Sequence, residues 1–253
     1  MQTLIFSSYF SLKPHPNHPG DTAVRGRAAD GRVWQSDFNY IKDWYESIVK
    51  GELRAVLFYD NLDDDFVELY QNEFVKFEKV ETSEYSNNDW RFFCFYDYLS
   101  ELEGAGQGLE AVFHTDASDV VVVKDPCELI DTHPEIDYFA CKDSIPLNKF
   151  GYMQPHEHFG WEDRMLFMLN MNEWWLINMG VVGGKPEKML DFYKKFKEIR
   201  TSMGSPEFNA DMWICQYLLR SQLQPCELLM GDPVCSEFKQ YQNKRDDVYF
   251  IHK

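Results

Sequence analysis

Ala111-Val112-Phe113-His114-Thr115-Asp116-Ala117-Ser118-Asp119-Val120-Val121-Val122-Val123 sets two carboxylates in a short turn between two apolar runs. Each run suits a buried strand, Glu110–His114 and Val120–Val123, and strands buried on both faces belong to parallel sheets. An acid at the end of such a strand is poorly solvated unless something compensates it. A divalent cation would do so, because Mg²⁺ and Mn²⁺ take carboxylate oxygens together with the phosphate oxygens of a nucleotide. Ligands of open α/β sheets also bind where strands end. The alternative is that Asp116 and Asp119 cap the turn through their own backbone.

Working outward, the flanking sequence alternates strands and helices. Toward the N-terminus lie a first strand over Thr3–Phe10, a helix from Phe38 to near Gly51, and a second strand at Arg54–Tyr59. A helix at Asp65–Glu73, a short strand at Lys76–Val80 and a helix at Trp90–Leu102 follow. Toward the C-terminus, Tyr138–Cys141 and Trp175–Val182 read as strands, and Pro186–Thr201 and Asn209–Leu219 as helices. This alternation predicts an α/β fold, a sheet covered by helices on both faces. No internal repeat or low-complexity tract divides the chain, so 1–253 reads as one domain. Ser11–Arg32, with three prolines and three glycines, reads as a long loop.

The 253 residues are 44% hydrophobic and 16% aromatic, enough for a sizeable core. The formal charge of −17 argues against nucleic acid or an anionic membrane as partner. The six cysteines have no CxxC pair and no regular spacing, so reduced thiols are expected rather than a disulfide scaffold or structural zinc. Met1–Phe6 is too short for a secretory signal, and no run approaches the ~18 apolar residues of a membrane span. A cytoplasmic protein is expected, in the host cytoplasm should its source be a virus.

Three later segments carry possible chemistry. In Asn178-Met179-Gly180-Val181-Val182-Gly183-Gly184 the glycines permit close backbone approach to a ligand, and the Asn178 amide could meet hydroxyls. Strand bulges are the other reading. Asp211 opens an apolar helix, where an acid can serve a cleft or simply the helix end. His252 and Lys253 end a short terminal strand. His156-Glu157-His158 brings two histidines together without a third and fourth ligand, which fits a loop better than zinc.

In their order, these segments resemble GT-A glycosyltransferases. Asp116-Ala117-Ser118-Asp119 looks like the family's Asp-x-Asp motif, in an Asp-x-x-Asp variant, and Asn178–Gly184 resembles the Asn-Gly-Gly stretch that follows it. The resemblance implies a GT-A-like, Rossmann-like fold with a mixed, mostly parallel central sheet, residues 1–119 binding a nucleotide-sugar donor and 120–253 the acceptor. It implies a hexosyltransferase that uses Mn²⁺ or Mg²⁺ to move a sugar from UDP, or next GDP, to a glycan or glycoprotein hydroxyl. Asp119 would be a direct metal ligand, Asp116 would meet the metal or the ribose, and His252 would complete the shell.

The same resemblance puts Ser7, Ser8, Tyr9 and Asp60 near the base and ribose, Arg91 near the nucleotide, and Asn178, Gly180 and Gly183 near the sugar. Lys253, and Arg25, Arg27 and Arg32 of the long loop, could reach phosphates. Asp211 would act as general base in an inverting enzyme or support the sugar's positive charge in a retaining one. Phe159–Asp163 resembles an acceptor-side motif in the wrong order, leaving Glu162 and Asp163 as secondary candidates for acceptor binding or base work. Two rivals stand beside this reading. A sugar nucleotidyltransferase should carry a glycine-rich basic loop near its N-terminus, and Phe6–Lys13 has no glycine. A non-catalytic nucleotide-sugar-binding domain should have lost its acids.

Overall fold

The computed structural model describes residues 2–14, 35–106, 108–149, 173–205, 209–222, 227–240 and 242–253. Arg25, Arg27, Arg32, His156, Glu157, His158, Glu162 and Asp163 lie outside the described residues, as do most of the Ser11–Arg32 stretch and Phe159–Asp163.

The apolar run of β1 (Thr3–Tyr9) pairs in parallel with β2 (Arg54–Tyr59) on one side and β4 (Ala111–Thr115) on the other, and β3 (Val75–Lys79) extends the edge beyond β2. Past β4 come β7 (Trp175–Gly184), β6 (Tyr138–Pro146) and β8 (Leu228–Met230), completing a seven-stranded sheet of order β3-β2-β1-β4-β7-β6-β8. β7 pairs antiparallel with both neighbours and β6 parallel with β8, so β7 alone opposes the rest. The α/β sheet expected from the alternation is observed, and it is the mixed, mostly parallel sheet that the resemblance implied.

Alternation along the strands feeds two cores. Leu4 and Phe6 of β1 face α3 (Asn87–Gly104), α5 (Pro186–Ser202) and α6 (Asp211–Tyr217), packing with Phe92, Phe95, Tyr193 and Phe196. Ile5 faces the other side, with α1 (Phe38–Lys50), α2 (Asp64–Tyr70) and α4 (Cys127–Thr132). On α1 the buried Ile41, Trp44 and Ile48 fall at helical spacing, and the Asp37 side chain caps the helix through the N–H of Asn39. Ser86 caps α3 through the N–H of Asp89, so that helix begins three residues before the expected Trp90.

A separate antiparallel ribbon joins β5 (Val120–Val122) to β9 (Phe250–His252). It lies against α1, where the Ser47 hydroxyl accepts the N–H of Val122 at 3.0 Å. The pairing returns the last residues of the chain to the turn after β4, and the Lys253 N–H reaches the Asp119 carbonyl at 2.9 Å.

Several expectations need correction. The helix at Asp211 ends at Tyr217 and passes into a π turn over Leu218–Gln222. The strand at Tyr138 runs on to Pro146 through two register shifts. Neither α4 nor β8 was anticipated; six- and three-residue elements are too short for a periodic signal. The thiols are not all reduced, since Cys141 and Cys235, 94 residues apart, form a disulfide. The pairing of β6 with its neighbours brings the two together, and spacing along the chain carries no trace of it. No helix among the described residues is long and apolar enough to cross a membrane.

Candidate functional site

A cleft of about 480 Å³ opens at the carboxyl ends of β1 and β4. Among the residues lining it are Ser8, Arg91, Asp116, Asp119, Asp143, Asn178, Gly180, Asp211 and His252. β4 delivers Asp116 to it, and the Asp116 N–H ends the ladder on the Gly180 carbonyl at 2.9 Å. The tight turn then turns Asp119 back toward β9.

Arg91, from the first turns of α3, lies between two acids. Its guanidinium bonds the Asp116 carboxylate, and its Nη2 is 3.5 Å from Oδ2 of Asp211. Burial pulls the arginine's pKa down, but the carboxylates of Asp116 and Asp211 outweigh that and hold it above its ordinary value. For Asp211, burial raises the pKa and the Arg91 charge opposes the rise. Oδ1 of Asp211 and Nε of Arg91 are buried with no hydrogen-bond partner among the described residues. Behind them Asp89 accepts from Arg200 Nε at 2.7 Å and from the N–H of Ala210 at 3.1 Å, anchoring the residue that precedes Asp211.

The Asp119 side is built differently. Oδ2 of Asp119 lies 3.6 Å from Nε2 of His252, and its other oxygen meets only the Ser118 hydroxyl, at 3.4 Å. No Lys or Arg among the described residues pairs with it. His252 is 1% exposed, yet neither ring nitrogen has a hydrogen-bond partner among the described residues, an arrangement that buried imidazoles rarely tolerate. Its ring packs on Phe238 at 4.2 Å and over Gly180, where an added Cβ would fall 2.1 Å from Cε1 of the histidine. Asp116, Asp119 and His252 each offer one ligand atom within 4.8 Å of the others. Two acids and an unsatisfied imidazole make a donor set suited to a divalent cation.

The remaining candidates divide. Ser8 lines the cleft, and so does Asn178, whose amide donates to Asp143 at 3.2 Å and accepts the Gly180 N–H at 2.8 Å. Ser7 and Tyr9 point away from it, Ser7 donating to the Thr115 carbonyl at 2.7 Å and Tyr9 bonding Asp37. The Asp60 carboxylate holds the N–H groups of Ser11 and Leu12. Gly183 makes room for the Phe113 ring, and the Lys253 side chain pairs with Asp43 outside the cleft. The reading of the sequence missed Asp143 and Phe238, and nothing in their local sequence sets them apart.

No family model and no curated protein matches the sequence. Among solved structures, the fold is similar to that of a glycosyltransferase involved in the glycosylation of the major capsid of PBCV-1. The TM-score is 0.50, with 14% identity over 100% of this chain and 92% of that one. The class established is therefore one of architecture: a glycosyltransferase-type α/β fold with an acidic cleft at the strand ends.

Proposed function

We propose that the chain is a glycosyltransferase that moves a hexose from a nucleotide-diphosphate sugar, with UDP as carrier, to a hydroxyl of a glycan or glycoprotein. The observation that carries this reading is the convergence of Asp116, Asp119 and the unsatisfied His252 at the end of β4, in a fold shared with a glycosyltransferase. Asp119 and His252 would hold Mn²⁺ or Mg²⁺, with Asp116 as third ligand. The bound cation would neutralise charge on the departing diphosphate.

The chain's own residues account for the rest. Arg91 fixes the Asp116 carboxylate and keeps a positive charge between it and Asp211. Asp211, held in a dry setting by Asp89 and Ala210, is a stronger base when ionised than a solvated carboxylate. It would take the acceptor proton in an inverting course, or support positive charge on the sugar in a retaining one. Asn178, its orientation set by Asp143 and Gly180, would present its amide to sugar hydroxyls. Turnover of UDP-hexoses with and without Mn²⁺ tests the reading. Donor hydrolysis or transfer should require the cation, and turnover unaffected by its removal would refute the assignment.

A further inference from the structure

His252 has a second set of neighbours. Sγ of Cys141, Sγ of Cys235 and a ring nitrogen of His252 lie within 4.8 Å of one another, and all three residues are buried. Backbone pairing keeps them together independently of the disulfide. Cys141 pairs with Asn178 on β7, two residues from the glycine beneath the histidine ring. The segment holding Cys235 is laced to β9, with Phe250 N–H donating to Val234 at 3.0 Å, Ser236 N–H to Phe250 at 2.9 Å and His252 N–H to the Ser236 hydroxyl at 3.0 Å. Breaking the sulfur–sulfur bond therefore leaves two thiols beside an imidazole whose nitrogens have no hydrogen-bond partner among the described residues.

We propose that, once the Cys141–Cys235 disulfide is reduced, the two thiolates and His252 form a zinc site that competes with the oxygen-rich cation site for His252. Two thiolates and one imidazole are ligands that Zn²⁺ takes in tetrahedral sites, whereas Mn²⁺ and Mg²⁺ take oxygen. In the reduction, a dithiol gives up two electrons and two protons and closes to its own disulfide, while the Cys141–Cys235 bond breaks into two thiols. Zinc binding then releases those two thiol protons to solvent. The other described thiols, Cys94, Cys127 and Cys215, are each buried, and burial pushes each above its ordinary pKa. The zinc site stands on these contacts alone; only the competition rests on the glycosyl-transfer reading.

Co²⁺ serves as the probe, because thiolate ligation gives it a charge-transfer absorption that oxygen ligation does not. Reduced, metal-free protein should bind one equivalent of Co²⁺ with that absorption, and Zn²⁺ should displace it. The disulfide-intact protein should show none, a comparison that needs no substitution. A Cys141→Ser/Cys235→Ser variant should lose the band, and Cys226→Ser should keep it. The site is overturned if reduced protein with a native circular-dichroism spectrum gives no band, or if the band survives in the folded double variant. For the competition, one equivalent of Zn²⁺ should raise the Mn²⁺ needed for half-maximal donor turnover at least about tenfold more in reduced than in oxidised protein. The same Mn²⁺ requirement in zinc-treated reduced and oxidised protein would overturn the competition. Absence of any Mn²⁺-dependent turnover would instead count against glycosyl transfer, and the cobalt result would stand apart from it.

Discussion

Asp116 and Asp119 sit three residues apart in one turn, yet their surroundings are opposite. Asp116 belongs to a network that carries its own positive charge: Arg91 lies between it and Asp211, and the Asp89–Arg200 pair stands behind. Among the described residues, Asp119 faces a buried histidine with unsatisfied nitrogens and pairs with no Lys or Arg. A carboxylate with a built-in counter-charge needs nothing more to be stable, while one without it is where an added cation gains most. The side chains around the turn, rather than the turn itself, distinguish an acid already balanced by a protein cation from one that meets only a histidine and a hydroxyl.

The sharpest way to break this contrast is Asp119→Ala. It should lower cation-dependent donor turnover by about a thousandfold, several kcal/mol of stabilisation at the reacting centre, while leaving the unfolding midpoint close to native. Steady-state rates across a Mn²⁺ titration and urea unfolding read the two halves. A native Mn²⁺ response in this variant would remove the asymmetry.

Arg91→Met should show the reverse emphasis. Removing the guanidinium leaves Asp211 buried without its counter-charge, at a cost of about 3–5 kcal/mol, toward the lower end because Asp116 is partly solvated. Urea denaturation checks the value. Asp211→Asn in the same background should recover part of the loss, and a strictly additive double variant would contradict the shared network.

Gly180→Ala tests the other side through packing. The new Cβ would collide with the His252 ring, costing about 1–3 kcal/mol and weakening Mn²⁺ binding as the ring is displaced. Calorimetric Mn²⁺ titration should show both Gly180→Ala and His252→Ala with at least about tenfold lower affinity. If Gly180→Ala bound as the native protein does, His252 would not be a ligand.

The smallest effect is one of pH. Burial raises the folded-state pKa of Asp211, so the folded chain holds a proton that the unfolded chain releases. The stability this contributes is full below the ordinary carboxylate pKa and is lost as pH rises through the raised value. Native stability relative to Asp211→Asn should therefore decline as pH rises above the ordinary carboxylate range, about 4. Urea midpoints measured without added cation check it, and an unchanged difference would mean that Arg91 cancels the burial.

Much of the fold was legible in the sequence because its signals are local. Arg54–Tyr59 is a strand within the bounds its apolar run suggests, and α1 follows from the spacing of Ile41, Trp44 and Ile48. The cleft was half legible. Asp116, Asp119, Asp211, Asn178 and His252 stand out as residue types in order, and the fold gathers all five. Ser7, Tyr9, Asp60 and Lys253 were chosen by position at strand ends, but position does not say where a side chain points, and each finds a partner elsewhere. Gly183 was read as making room for a ligand, but the Phe113 ring takes that room; Gly180 does line the cleft, with the His252 ring over it.

By itself the sequence determined the alternation of strands and helices, the apolar run that buries β4, and the two acids at its end, since each depends on neighbours within a turn or a strand. Only the tertiary structure decided which acid is compensated. Arg91 and Asp211 meet because Asp89 of α3 accepts the N–H of Ala210, and His252 reaches Asp119 because β9 pairs with β5. Contacts between residues so far apart in the chain arise from the closing of the whole sheet, and no local pattern encodes them.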